Sequence, residues 1–248
     1  MYRANTQDIV LATDQYDPSK GKHIKYKFNN YGFRCDDFDH WEKHPLRVVF
    51  TGCSYSEGVG LSLENTWPKI IHKNLCDDFG LMPFWNLSAA ASGLDHIVKY
   101  LYHYGDMLHP QIVICYLPNI ERRERWVGDY FTANTPTPMY DKLNKTFLKE
   151  EFISYQTEKD FVMLNLLLEK LDSYMIFHPA VNDIDISYMN LLNIQQIDFN
   201  ADIMYHDTKL DVARDNMHPG PRSNIEFASR LYNQIRKISK ERLNVNRI

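Results

Sequence analysis

Long apolar runs are missing from this chain. No uninterrupted apolar stretch in its 248 residues approaches the about 18 needed to cross a membrane, so no membrane partner is expected. The N-terminus, MYRANTQDIVLATDQYD, lacks the basic-then-apolar layout of an export signal, which points to a soluble, cytoplasmic protein. Cysteine is sparse as well. Cys35, Cys53, Cys76 and Cys115 stand far apart with no CxxC pair, so neither a disulfide framework nor a zinc site is signalled. They read as buried thiols in a reducing compartment. Positive charge is not in surplus: 28 Lys and Arg against 32 Asp and Glu give a net charge of −4, which argues against nucleic acid as a partner. The basic run RKISKERLNVNR near the C-terminus reads as a solvated helix face. No HExxH pattern occurs. His40 and His44 are four apart, but Asp37, Asp39 and Glu42 around them make a decorated surface the simpler reading, so no metal site and no cofactor is expected.

What is present is enough chain for one large α/β domain with an ample core. Residues 1–45 are polar and aromatic without helical period and read as an N-terminal arm or cap packed on the domain that follows, 46–248. From residue 46 short apolar runs alternate with longer helical stretches. The runs are RVVFTG (47–52), FWNLS (84–88), QIVICYL (111–117), SYMIFH (173–178) and, more weakly, IQQIDF (194–199), each suited to a strand covered on both faces. Helices are expected over Leu63–Cys76, Leu94–Met107, Glu158–Leu171 and Arg222–Leu243. The fold class that follows is a three-layer α/β/α sandwich with a mainly parallel five-stranded sheet. Residues 126–157, with TANTPTPMYDK, break the pattern and read as a cleft-bordering insertion.

In an open parallel sheet, ligands bind beyond the carboxyl ends of the strands. The first run stops at Thr51-Gly52 and CSYSEGVGL follows, so Ser54 faces that crevice, either as a nucleophile or as a helix-capping turn residue. A nucleophile needs a base and an acid to orient it. DNMH supplies Asp215 and His218 three apart, just before a helix announced by HPGP. A tight turn can set both side chains on one side, leaving the outer imidazole nitrogen to take a hydroxyl proton. Acyl transfer also needs oxyanion donors. After FWNLS, the segment AAASG offers the N–H of Ala91, Ser92 or Gly93; after QIVICYL, Asn119 offers a side-chain amide. Taken singly, Gly93 is a helix entry and Asn119 a turn after Pro118. Four strand ends with complementary parts point together to ester chemistry.

These residues resemble the four blocks of the SGNH hydrolase superfamily, the GDSL esterases and lipases, over residues 46–120 and 205–240. The resemblance implies a flavodoxin-like α/β/α fold, with Ser54 as nucleophile and its N–H as one oxyanion donor. It further implies Asn119 as amide donor, Ala91 or Gly93 as the second-block donor, and Asp215 with His218 as the base pair. An α/β-hydrolase elbow is excluded, because Gly52-Cys53-Ser54-Tyr55-Ser56 lacks the second glycine of GxSxG. Departures from the family are Cys53 where an Asp is usual, Leu117 for Gly and Ile120 for Asp. NNYGFRCDDF (29–38) resembles an NxxGFR segment found ahead of the nucleophile in many members, those of phages included; a phage origin would make the protein virion-associated. There Arg34 either reaches the cleft or is a surface residue beside a turn at Gly32.

The implied reaction is hydrolysis through a Ser54 acyl-enzyme without metal or cofactor. Arg34, His96, Arg122 and Trp126 are the substrate-binding candidates, and a polar, aromatic rim suits a small acyl ester, such as acetyl, on a polar or carbohydrate carrier. The plainer reading of the cluster Arg122, Arg123 and Arg125 is a solvated helix face paired with Glu121 and Glu124. Two other classes share the motif set: an acyltransferase using the same triad, and a non-catalytic binding or structural protein such as a virion component.

Overall fold

The computed structural model describes residues 24–38, 42, 44, 46–120, 122–127, 130–134, 150–180, 186–197, 203, 204 and 208–242. The first part of the arm (1–23), His40, residues 128, 129 and 135–149 of the insertion and the end of the basic run (243–248) lie outside them.

Five strands form one sheet: β1 (Val48–Gly52), β2 (Trp85–Asn86), β3 (Ile112–Leu117), then β6 (Tyr174–Pro179) and β7 (Ile194–Gln196). Their order is β2-β1-β3-β6-β7 and every neighbouring pair is parallel. All residues of β1, β3 and β6 are buried, as their unbroken apolar runs require of strands covered on both faces. The weaker runs make shorter strands, two residues in β2 and three in β7.

Side chains alternate across the sheet, and two cores result. On one face Val48, Phe50, Ile114, Tyr116 and Ile176 meet Trp67, Ile71 and Leu75 of α2 (Trp67–Phe79) and Phe227, Leu231 and Ile235 of the C-terminal helix (Pro221–Arg242). On the other, Val49, Val113, Cys115 and Phe177 meet Leu94, Ile97 and Leu101 of α3 (Leu94–Leu108) and Phe161, Leu164 and Leu168 of α4 (Glu150–Lys170). The C-terminal helix is α5. A four-residue helix, α1 (Ser54–Glu57), follows β1. Burial pushes the Cys35 and Cys115 thiols well up, which favours the protonated form of both.

Three boundaries differ from the sequence reading. The stretch from Leu63 is not continuous helix: Leu63–Asn65 is one 3₁₀ turn, Thr66 is extended, and α2 starts at Trp67 with Pro68 in its first turn, where its missing N–H costs nothing. Helix α4 starts at Glu150 rather than Glu158, because the polar segment EEFISYQT carries too little apolar periodicity to announce a helix. The arginine cluster is not on a helix. Residues Arg123–Val127 form β4, which pairs antiparallel with β5 (Tyr130–Asn134) in a separate two-stranded hairpin. Arg123 packs, partly buried, against α4, its guanidinium bonded to the Asp160 carboxylate and to the Thr157 hydroxyl at 2.9 Å.

The described part of the arm lies against the sheet edge beyond β2. Asp36 and Phe84 exchange two hydrogen bonds, Asp36 N–H to the Phe84 carbonyl at 3.0 Å and Phe84 N–H to the Asp36 carboxylate at 2.8 Å. Phe33 and Phe38 pack edge-on against Tyr104, at 5.4 and 5.5 Å between centroids.

Candidate active site

Strand β1 lies between β2 and β3, so the chain crosses over β1 on passing from β2 to β3, and the crevice of the sheet opens at that reversal. The loops after β1 and β3 leave it side by side, Gly52 being in register with Tyr116. Ser54 follows the first strand and Asn119 the second.

Ser54 is not a capping residue. Cys53 occupies the N-cap of α1 without a side-chain bond, and Ser54 is the first helical residue, 7 % exposed. Among the described residues its hydroxyl has no hydrogen-bond partner. In sites without substrate the nucleophile–base bond is commonly long and tightens only when the reactant binds. Helix α1 ends at Gly58, whose N–H returns to the Ser54 carbonyl at 2.9 Å.

Asp215 and His218 are joined. The imidazole Nδ1 is hydrogen-bonded to one carboxylate oxygen of Asp215, while the other accepts the backbone N–H groups of Met217 and His218, both at 3.0 Å. The Asp215 side chain is 2 % exposed and that of His218 17 %, so the acid is sealed beneath a base that still meets the crevice. Burial works against the Asp215 carboxylate, but the His218 ring and the two N–H groups outweigh it and hold its pKa below the usual carboxylate value. The pairing leaves Nε2 of His218 to handle a proton. The turn carrying the pair is closed by Ala213 N–H to the His218 carbonyl at 2.8 Å and by Asn216 in the left-handed region, φ 60°. Asp211 anchors it to α5, accepting the N–H groups of Arg222 and Ser223 at 2.9 Å each.

The DNMH turn reaches the nucleophile loop at two places. The ring of Tyr55 stands edge-on to that of His218, 5.3 Å between centroids. Gly60 faces Asp215 so closely that a Cβ there would lie 3.2 Å from the carboxyl carbon and 2.8 Å from the Ala213 methyl, and its φ of +78° independently favours glycine.

The second loop presents two candidate donors, which differ in backbone conformation and surroundings. Gly93 N-caps α3 in extended conformation and points its N–H at His96 Nδ1, 3.1 Å away, so that N–H is turned into its own helix end. It is glycine for another reason: a Cβ would lie 1.9 Å from the Arg122 carbonyl oxygen, where the third loop crosses the second. Ala91 has φ 65°, the left-handed backbone where glycine is usual, and is partly exposed. Asn119 heads the third loop, which its carbonyl closes by accepting the Arg122 N–H at 3.0 Å.

Two of the rim candidates are placed elsewhere. Arg34 is neither at the cleft nor on the surface: it is 2 % exposed, its guanidinium over the Tyr26 ring at 4.2 Å and bonded to the carbonyls of Glu57, Gly58 and Leu61 at 3.2, 2.8 and 2.8 Å. It holds the nucleophile loop from behind, since three loop carbonyls inside the protein need donors. His96 is 6 % exposed and its ring folds back onto the start of α3, with Nδ1 3.1 Å from both the Gly93 nitrogen and the Asp95 carboxylate. One nitrogen cannot accept from the first and donate to the second at once, and the tautomer decides which bond forms. Either way that nitrogen serves the helix end. Arg122 stays half-buried beside Asn119; of Trp126, only the backbone in β4 is described.

Sequence reading missed Glu57, Tyr55 and Asn86. Glu57 is 1 % exposed and its carboxylate accepts the Ala90 N–H; the Asn86 amide donates to the Ser56 carbonyl at 2.9 Å. The only signal for Glu57 is an acid standing alone among small and apolar residues in GCSYSEGVGL.

No protein-family model matches the sequence, and no curated protein matches it. Solved structures do resemble the fold. TesA superposes with a TM-score of 0.50 at 11 % identity, over 75 % of this chain and 96 % of its own. A psychrotrophic esterase, EstA from Pseudoalteromonas sp., gives 0.49 at 13 %, over 78 % and 98 %. An acylhydrolase of Bacteroides fragilis, described as putative, gives 0.47 at 16 %, over 79 % and 89 %. With five parallel strands in this order and helices on both faces, the chain has the α/β/α fold of the SGNH hydrolases.

Proposed function

We infer that the protein is a serine ester hydrolase of the SGNH type. The observation that carries this reading is the buried Asp215–His218 pair set against α1 at the reversal point of the sheet, next to the residue that follows Ser54. His218, oriented by Asp215, takes the Ser54 proton as the hydroxyl attacks an ester carbonyl. The N–H groups of Ser54 and Ala91 and the Asn119 amide receive the oxyanion, the alcohol leaves with the proton, and water repeats the sequence on the acyl-enzyme. Gly93 is set aside as a donor because its N–H is directed to His96.

The substrate class in this reading is a small acyl ester on a polar or carbohydrate carrier. With Arg34 and His96 turned inward, its support is Arg122 beside Asn119 together with Trp126 in the adjoining hairpin.

The test is hydrolysis of p-nitrophenyl acetate and butyrate by the protein and its Ser54→Ala variant, with a fluorophosphonate label located by mass spectrometry. Turnover lost in the variant and a label on Ser54 are expected. Folded protein that neither turns over nor labels would instead make this a binding or structural member of the fold.

A further inference from the structure

The first and second loops are tied together by one buried carboxylate. Glu57 sits on α1 one turn after Ser54, 1 % exposed, and its Oε2 accepts the backbone N–H of Ala90. Ala90 directly precedes Ala91, whose φ of 65° swings the chain back toward α3. The bonded N–H lies in the Ala89–Ala90 peptide, one unit before the Ala90–Ala91 peptide that carries the Ala91 N–H, so the bond restrains that donor through the backbone of Ala90. The carboxylate is itself firmly based. The carbonyls of Glu57 and Gly58 are held by the Arg34 guanidinium and that of Ser56 by the Asn86 amide. The side-chain Oδ1 of Asn86 in turn accepts the N–H of Ser88, further along the second loop.

We propose that Glu57 is a positioning residue for acyl transfer: it locks the second loop to the nucleophile helix so that the Ala91 N–H is aimed at the oxyanion. This rests on the hydrolase reading above. Three features agree with it. The alternative donor, Gly93, has its N–H directed to His96. A backbone in the left-handed region with an alanine needs an outside restraint to persist, and Glu57 is bonded to the residue next to it. Finally, a fully buried acid beside the nucleophile is costly unless it is bonded, and one bond that it makes is to this loop.

Oxyanion stabilisation acts on the transition state, so its loss lowers kcat while leaving substrate binding and the titration of the base alone. The test compares Glu57→Gln, which keeps an acceptor of the same reach, with Glu57→Asp and Glu57→Ala, which do not. Each is followed by steady-state kinetics on p-nitrophenyl acetate, the pH profile of kcat/KM, the rate of fluorophosphonate labelling of Ser54, and thermal melting. Expected are a kcat lowered about 10- to 100-fold in Asp and Ala, KM within about twofold, an unmoved pH profile and slowed labelling, with Gln recovering most of the rate. Folded Asp and Ala variants as fast as the parent would overturn the proposal. So would a displaced pH profile, which would mean action through His218, or failure of all three variants to fold, which would make the carboxylate purely structural. A parent protein without turnover or label would instead sink the hydrolase reading itself, and so the two failures are distinguishable.

Discussion

Tyr55 and His218 stand ring to ring, centroids 5.3 Å apart and planes at 82°. Tyr55 in turn stacks on Tyr116 at 5.7 Å, and Tyr116 lies fully buried at the end of β3. The imidazole is therefore braced on one side by a wall rooted in the sheet and held on the other by Asp215.

That wall can be removed. An edge-on aromatic contact contributes about 0.5–1.5 kcal/mol beyond its area. Tyr55→Leu is expected to lower kcat/KM about 2- to 10-fold, with Tyr55→Phe near the parent rate. Hydrolysis of p-nitrophenyl acetate by both variants across pH checks this; equal loss in both would assign the effect to the phenol hydroxyl instead.

Asp215→Asn removes the charge that steadies an imidazolium and reverses the tautomer preference. The expected loss in kcat is about 10³–10⁴-fold with Ser54 still in place.

The same carboxylate makes stability pH-dependent. Its folded pKa is lowered, so its contribution is full above the unfolded value of about 3.9 and is lost as pH falls through the lowered folded value. The stability advantage of the parent over Asp215→Asn, read from melting temperatures, should therefore be retained down to about pH 4 and shrink only as the pH falls below it. A gap that widened below about pH 4 would contradict the assignment.

Arg34 supplies donors to three carbonyls of the nucleophile loop. Hydrogen bonds to a charged donor contribute about 1.5–3 kcal/mol each, and Arg34→Met strands all three acceptors inside the protein. Urea unfolding is expected to show a loss of at least about 3 kcal/mol, with Arg34→Lys recovering only part because a single ammonium cannot span the same fork.

Gly93→Ala and Ala91→Gly should differ sharply in outcome. The added methyl at 93 would lie 1.9 Å from the Arg122 carbonyl, so the third loop must shift. We expect destabilisation of about 1–3 kcal/mol and a marked fall in esterase rate. At 91, relief of a left-handed backbone, about 1–2 kcal/mol, roughly offsets the greater chain entropy of glycine, about 0.5–1 kcal/mol. Stability and rate should stay near those of the parent. Melting curves and p-nitrophenyl acetate assays on the two proteins settle it.

Much of the architecture was readable beforehand because the signals are local. RVVFTG, QIVICYL and SYMIFH are unbroken apolar runs that became β1, β3 and β6, and the periodicities of α3 and α5 placed both helices to within a residue or two. Helix α4 escaped in its first two turns, and the hairpin β4–β5 escaped entirely, because charged residues such as Arg123 and Glu124 carry no apolar alternation to follow.

By itself, then, the sequence determined most of the buried strands and helices, that a serine follows the first strand, and that an acid and a histidine stand three apart before the last helix. Those facts are written in composition and spacing within a few residues. The tertiary structure alone decided that Arg34 is a buried brace rather than a rim residue, that His96 serves a helix end, that Gly93 is glycine for the sake of Arg122, and that Glu57 reaches Ala90. Each of these depends on a partner 3 to 33 positions away along the chain. Which carbonyl or N–H a polar side chain meets is fixed only when the sheet has brought its loops to one edge, and no local pattern encodes that meeting.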